Sequence, residues 1–147
     1  MNGDYDIVIA GGGMAGISLA SALAPTGARM AVIEATPPGR GKPPAFDDRA
    51  IALAHGSRRI FEAIGVWDGI ARTATPIRKI HVSERGRFGF THLDAAEEGV
   101  PALGYVALAR DLGETLLDAF STTGIDFHSP ARVVDLDNDA DRVTLAV

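Results

Sequence analysis

The stretch DIVIAGGGMAG at residues 6–16 decides the fold. Residues 7–10 form an unbroken apolar run, which is typical of a strand buried on both faces of a parallel sheet. The glycines that follow have the spacing G-x-G-x-x-G. In this pattern Gly11 permits a tight turn, Gly13 lets the backbone approach a pyrophosphate, and Gly16 lets the helix pack closely on the strand. The stretch therefore predicts a strand, a glycine turn and a helix whose N-terminus faces a phosphate.

The next residues complete a βαβ unit. The helix is expected over residues 14–23, and residues 29–33, which are apolar after Arg29, predict the following strand. Glu34 ends that strand, eighteen residues beyond Gly16. A carboxylate at this place can accept hydrogen bonds from a ribose diol. Strand, glycines, helix, strand and acid in this order predict a dinucleotide-binding site.

The composition excludes several classes of function. A chain of 147 residues with 46% hydrophobic and 22% charged residues suits one globular domain. A net charge of −5 argues against nucleic-acid binding and provides no polybasic membrane anchor. Without cysteine there is no disulfide, zinc–thiolate site or thiol catalysis, and we predict no metal site. The N-terminus lacks the features of a signal peptide.

The remaining elements follow from periodicity and turn residues. Proline and glycine in residues 36–44 predict a surface loop, which is either a linker or a cover for a ligand. Helices are expected at residues 57–64, 66–71 and 111–121, and strands at 77–83, 88–93, 125–127, 131–136 and 142–147. Because the chain stops after a hairpin without a closing helix, we expect it to be part of a longer protein.

Five segments carry a family resemblance: GGGMAG at 11–16, IEA at 33–35, FDDRAIAL at 46–53, IGVW at 64–67 and IHVSERG at 80–86. Together they resemble the class A FAD-dependent aromatic hydroxylases, in particular the ubiquinone-biosynthesis branch. The resemblance implies FAD as cofactor, NAD(P)H as co-substrate, O₂ as oxidant and a polyprenylated phenol as the small-molecule substrate. The cofactor would carry the difficult chemistry, while the protein binds, orients and excludes water.

The resemblance also implies roles for two arginines. Arg49 would reach the flavin side of the site, with an ion pair to Asp47 or Asp48 as the alternative. Arg110 would contact a phosphate or the ribose, or else be an ordinary residue at a helix start. The predicted cofactor-binding residues are Gly11, Gly13, Met14, Ala15, Gly16, Glu34, Ala35, Arg49 and Arg110.

No catalytic acid or base is assigned. His81 has no acidic partner at useful spacing, so we interpret it as a strand or interface residue. Trp67 is expected to pack beneath the short helix at residues 57–64 rather than on a flavin.

The expected fold is α/β, a Rossmann-like FAD-binding domain with a parallel sheet and the start of a mixed β region at about 77–93. Residues 1–147 would be the N-terminal portion of that domain, with the substrate domain largely absent and no activity on its own. We expect a cytoplasmic protein that visits the inner membrane or a complex of the ubiquinone pathway. Two alternatives stay open: another aromatic hydroxylase or reductase of the same superfamily, and a non-catalytic dinucleotide-binding module.

Overall fold

A computed structural model describes residues 3–37 and 48–147. These residues divide into two compact units, the first formed by residues 3–37 and 113–147 and the second by residues 48–112. In chain order the elements are β1 (Ile7–Ala10), α1 (Met14–Leu23), a 3₁₀ turn (Ala24–Thr26), β2 (Met30–Ile33), β3 (Ala50–Ala54), α2 (His55–Ala63), α3 (Trp67–Ala71), β4 (Thr75–Ile77), β5 (Lys79–Ser83), β6 (Phe90–Asp94), β7 (Gly104–Leu108), α4 (Ala109–Phe120), β8 (Asp126–His128), β9 (Asp135–Asn138) and β10 (Val143–Ala146).

The first unit contains a parallel sheet in the order β1-β2-β8. All four residues of the central strand β2 are buried, as expected for a strand covered on both faces. Helix α1 contacts β1 and β2, and its Ile17 and Ala20 are fully buried. The helix ends where the 3₁₀ turn leads to Gly27 at φ 74°. The predicted βαβ unit and the α/β fold class are confirmed.

Polar side chains join the strands where the parallel sheet begins. Asp6 accepts a hydrogen bond from the backbone N–H of Arg29 at 2.8 Å, and this bond lowers the pKa of its carboxyl group. The stabilisation is therefore present above the ordinary pKa of an aspartate and is lost as the pH falls through the lowered value. The Tyr5 hydroxyl donates to Asp126 Oδ2 at 2.8 Å, which raises the pKa of Tyr5. These bonds connect the entry of β1 with β2 and β8.

The second unit is built on antiparallel strands. Strand β7 lies between β3 and β4, and β5 pairs with β6 as a separate ribbon. Trp67 is buried edge-on to Tyr105, with ring centroids 4.7 Å apart, and the Arg58 guanidinium of α2 lies 5.4 Å from the Trp67 ring. The prediction that Trp67 packs against the preceding short helix is thus confirmed.

Several predicted boundaries differ from the structure: α2 begins at His55 rather than 57, β6 begins at Phe90 rather than 88, and three further differences have a clear physical cause. Residues 77–83 are not one strand, because the pairing changes at Arg78: β4 joins β7, whereas β5 joins β6. Helix α4 begins at Ala109 rather than 111, since the Ala109 N–H bonds to the Arg49 carbonyl and β7 passes directly into the helix. The strand predicted from residue 131 begins only at Asp135. The Ala131 N–H donates to the backbone carbonyl of Glu34 and therefore does not pair within the β9–β10 hairpin. Most of the predicted loop at residues 36–44 lies outside the described residues.

Candidate functional site

The glycine turn after β1 depends on a backbone conformation that favours glycine. Gly11 has φ 113°, a value that other residues rarely adopt. Its N–H donates to the carbonyl of Ile33 at 2.8 Å, which continues the pairing of β1 with β2 beyond the last strand residue. The turn is therefore fixed to the end of β2.

Gly16 marks the closest approach of helix α1 to this turn. A Cβ atom at Gly16 would overlap the carbonyl oxygen of Gly11 and would lie 3.3 Å from Ile9 Cγ2. The overlapped atom belongs to the backbone, so no side chain could rotate away to make room. Only a residue without a Cβ lets the helix start so close to the strand.

The N-terminus of α1 is open towards solvent. Gly13 caps the helix in an extended conformation, no side chain caps it, and its first turn contains no acidic residue. A Cβ atom at Gly13 would meet nothing within 4 Å. Met14 and Ala15 form the first turn, whose amides have no partner within the helix. Uncapped amides and the positive end of the helix dipole together suit a phosphate group.

Glu34 is held beside the glycine turn by its main chain and its side chain. Its N–H donates to the His128 carbonyl at 2.9 Å, on the β8 side of the sheet. Its carboxylate accepts one hydrogen bond from the Gly12 N–H and another from the Thr36 N–H, both at 2.7 Å. Since a carboxylate has about four lone-pair positions, roughly two remain for ribose hydroxyls. Ala35 follows and is half-buried.

Gly12 and Phe127 contribute to the site, although the sequence assigned neither a role. A Cβ atom at Gly12 would lie 2.8 Å from Phe127 Cε2 and 2.9 Å from Glu34 Cβ. Phe127 itself packs edge-on to Phe120 of α4, with centroids 5.7 Å apart. The middle glycine therefore lets the turn, Glu34 and β8 pack together. The unbroken run of three glycines was the only signal for it in the sequence.

The two predicted arginines both belong to the second unit, where the structure brings their backbones together. The carbonyl of Arg49 accepts the N–H of Ala109, the residue before Arg110. The Arg110 guanidinium lies 2.6 Å from Asp48 Oδ1 and 3.5 Å from Asp111 Oδ1. Asp48, one suggested partner of Arg49, is thus an ion-pair partner of Arg110, while Asp47 lies outside the described residues.

Arg110 lies in the first turn of α4, not before the helix. A cation at this end opposes the helix dipole, and the nearby carboxylates of Asp48 and Asp111 offset that cost. The cofactor contacts expected of Arg49 and Arg110 stay predictions.

Other candidate chemistry is limited. His81 lies on β5 opposite His92, with ring centroids 4.6 Å apart, on an exposed ribbon. Within residues 3–37 and 48–147, no three or more histidine and carboxylate side chains are grouped as a metal site. None of the helices in the same ranges has the length and hydropathy needed to cross a bilayer.

We expect Arg110→Ala to weaken FAD binding while changing stability little. Its ion pair with Asp48 is exposed, with 44% and 74% of the two side chains accessible, and such pairs contribute at most about 1 kcal/mol. Loss of one charge-assisted contact to the cofactor would lower affinity roughly tenfold. Flavin fluorescence titration measures the affinity and urea unfolding the stability. Arg142→Ala, which removes another exposed ion pair, is the control; equal affinities for the two variants would contradict an FAD contact.

Comparison with known proteins identifies the family of this chain. The FAD binding domain family matches residues 4–147. A ubiquinone hydroxylase of Rhodospirillum rubrum, UbiL, is 33% identical over 95% of this chain and 32% of its own length. The 3-demethoxyubiquinol 3-hydroxylase of Escherichia coli is 33% identical over 80% of this chain and 30% of its own.

The fold also matches a solved structure. The OxyS anhydrotetracycline hydroxylase of Streptomyces rimosus has a TM-score of 0.75 and 26% identity over 96% of this chain and 27% of that one. The chain spans about a third of the length of the curated relatives named above. The match to the family model takes in the glycine turn, Glu34 and both arginines, and so this chain belongs to the FAD binding domain family.

Proposed function

We propose that this chain is the FAD-binding part of a monooxygenase that hydroxylates a polyprenylated phenol in ubiquinone biosynthesis. The observation that carries the proposal is the Glu34 carboxylate beside a glycine turn and an open helix N-terminus, in a chain whose relatives include ubiquinone hydroxylases. The sequence also resembles 2-octaprenyl-6-methoxyphenol hydroxylase, and we propose a substrate of that kind.

The residues of the site divide the binding of FAD between them. The amides at the start of α1, from Gly13 to Gly16, would hold the pyrophosphate, and Glu34 would accept the ribose hydroxyls. Arg49 and Arg110 would add positive charge for the flavin side and for a phosphate or ribose. The chemistry with O₂ would be supplied by bound FAD after its reduction by NAD(P)H. The protein's own contribution is to bind and orient the cofactor, which can account for a large part of a rate enhancement.

The substrate raises the question of how it reaches the enzyme. A polyprenyl tail is apolar enough to reside in a membrane or on a carrier protein. We therefore propose a cytoplasmic enzyme that makes peripheral contact with the membrane or with a complex of the ubiquinone pathway.

A flavin-binding test examines the core of this proposal. The purified chain is titrated with FAD while flavin fluorescence and absorbance are followed. We expect saturable binding, weakened by Glu34→Ala, and no hydroxylated product when NADH, O₂ and a phenol are added to the chain alone. Absence of binding would favour a module without cofactor chemistry, and product formation would disprove the expected inactivity. In a longer form of the protein, reduction of a substrate double bond instead of hydroxylation would favour a reductase.

A further inference from the structure

The side chain of Tyr5, two residues before β1, bridges two side chains of β8. Its hydroxyl donates to Asp126 Oδ2 at 2.8 Å and lies 3.2 Å from His128 Nε2. These partners are the first and last residues of β8, and side chains two residues apart on a strand project to the same face of the sheet. Strand β2 lies between β1 and β8. Tyr5 therefore links the entry of β1 to both ends of a strand that is not its neighbour in the sheet.

The hydrogen atoms of this bridge follow from the chemistry of its members. The hydrogen bond to Asp126 raises the pKa of Tyr5, so the hydroxyl keeps its proton at neutral pH. Since the hydroxyl has one hydrogen atom and donates it to Asp126, its oxygen accepts from His128, whose Nε2 must carry a hydrogen. The Tyr5 ring also lies edge-on to the His128 ring, with centroids 6.2 Å apart. Two compatible hydrogen bonds and a ring contact thus hold β8.

The strand held by this bridge also holds the main chain of Glu34. The Glu34 N–H donates to the His128 carbonyl at 2.9 Å, and the Glu34 carbonyl accepts the N–H of Ala131 at 2.8 Å. Between the two ends of β8, Phe127 lies so close to Gly12 that a Cβ atom there would be 2.8 Å from its ring. Strand β8 is three residues long and ends the sheet formed by the described residues. A short strand of this kind gains order from a side-chain bridge.

We propose that Tyr5 is a positioning residue of the FAD site, which acts through β8 on Glu34. The phenol would not touch the cofactor. It would keep the Glu34 carboxylate where it accepts from the Gly12 N–H and can accept from the ribose hydroxyls. Such preorganisation increases affinity, because the acceptor does not have to be ordered when the ligand binds. The role rests on the proposed function, in which Glu34 binds the ribose of FAD.

The sequence assigned Tyr5 no role, since 121 and 123 residues separate it from its two partners. Only the folding of β8 beside β2 brings the three side chains together. The inference concerns contacts within the first unit alone, because all of the residues involved belong to that unit.

FAD titration of Tyr5→Phe measures this role, because the variant removes the hydroxyl and keeps the ring. We expect binding about threefold weaker, which is within the net strength of the hydrogen bonds lost. Combined with Glu34→Gln the effect should disappear, so that the double variant binds FAD like Glu34→Gln alone. The matched control is Asp6→Ala, which removes a hydrogen bond and an ion pair with Arg29 near the entry of β1 but no contact with β8. Its FAD affinity should be unchanged.

Amide hydrogen exchange tests the same role without the cofactor. The N–H groups of Glu34 and Ala131 should exchange about threefold faster in Tyr5→Phe, measured relative to the Ile17 N–H of α1, which reports on the opening of the whole unit. In Asp6→Ala the ratio of these rates should equal that of the unchanged chain.

Two results would overturn the proposal. One is an exchange ratio that does not change in Tyr5→Phe, or that changes equally in Asp6→Ala. The other is a pair of affinity losses for Tyr5→Phe and Glu34→Gln that multiply in the double variant, because Tyr5 would then act independently of Glu34. A chain whose exchange responds as expected but which binds no FAD contradicts the proposed function instead, and Tyr5 would then be a purely structural residue.

Discussion

Replacement of Gly16 by alanine is expected to destabilise the first unit and to abolish FAD binding. The new Cβ atom would overlap the carbonyl oxygen of Gly11, and this oxygen is held in place because the Gly11 N–H bonds to Ile33. Relief would require α1 to move away from β1, which disturbs the packing of the buried Ile17. Overpacking of this kind costs about 1–3 kcal/mol. Urea unfolding and FAD titration measure the two effects.

Gly13→Ala is the matched control, since it adds the same methyl group three residues earlier. Gly13 has φ −74°, and its Cβ atom would meet nothing within 4 Å, so stability should change by less than about 0.5 kcal/mol. The methyl group would nevertheless occupy the space in front of the helix, and we expect weaker FAD binding. If Gly16→Ala were as stable as the unchanged chain, the close approach of α1 to the turn would be wrong.

The parts of the fold that the sequence predicts well are those determined by neighbouring residues. The glycine turn, α1 and β2 each depend on local backbone freedom, apolar spacing or a helix stop, and all lie close to their expected places. The end of α2 near Gly65, which has φ 75°, is another case. Residue types restrict backbone angles directly, so such features can be read from one sequence.

Contacts between distant parts of the chain could not be predicted in this way. Gly12 meets Phe127, and Asp48 pairs with Arg110, yet no spacing rule relates either pair. The change of partner at Arg78 has the same origin, because alternation along a strand does not say which strand lies beside it. Sequence spacing therefore located the glycine turn and its neighbouring elements, while the packing around Glu34 and Arg110 emerged only from the structure.

Replacement of Glu34 by glutamine is expected to weaken FAD binding at least tenfold and to lower stability by about 1–3 kcal/mol. The carboxylate accepts from both Gly12 and Thr36, but an amide has only one oxygen, so its NH₂ group would face one of these N–H donors. The loss in affinity follows because hydrogen bonds from ribose to a charged acceptor are roughly twice as strong as neutral ones. FAD titration measures the affinity and urea unfolding measures the stability. The control is Glu114→Gln, because Glu114 is exposed. A loss of stability with unchanged FAD affinity would mean that Glu34 only holds the glycine turn and does not bind the ribose.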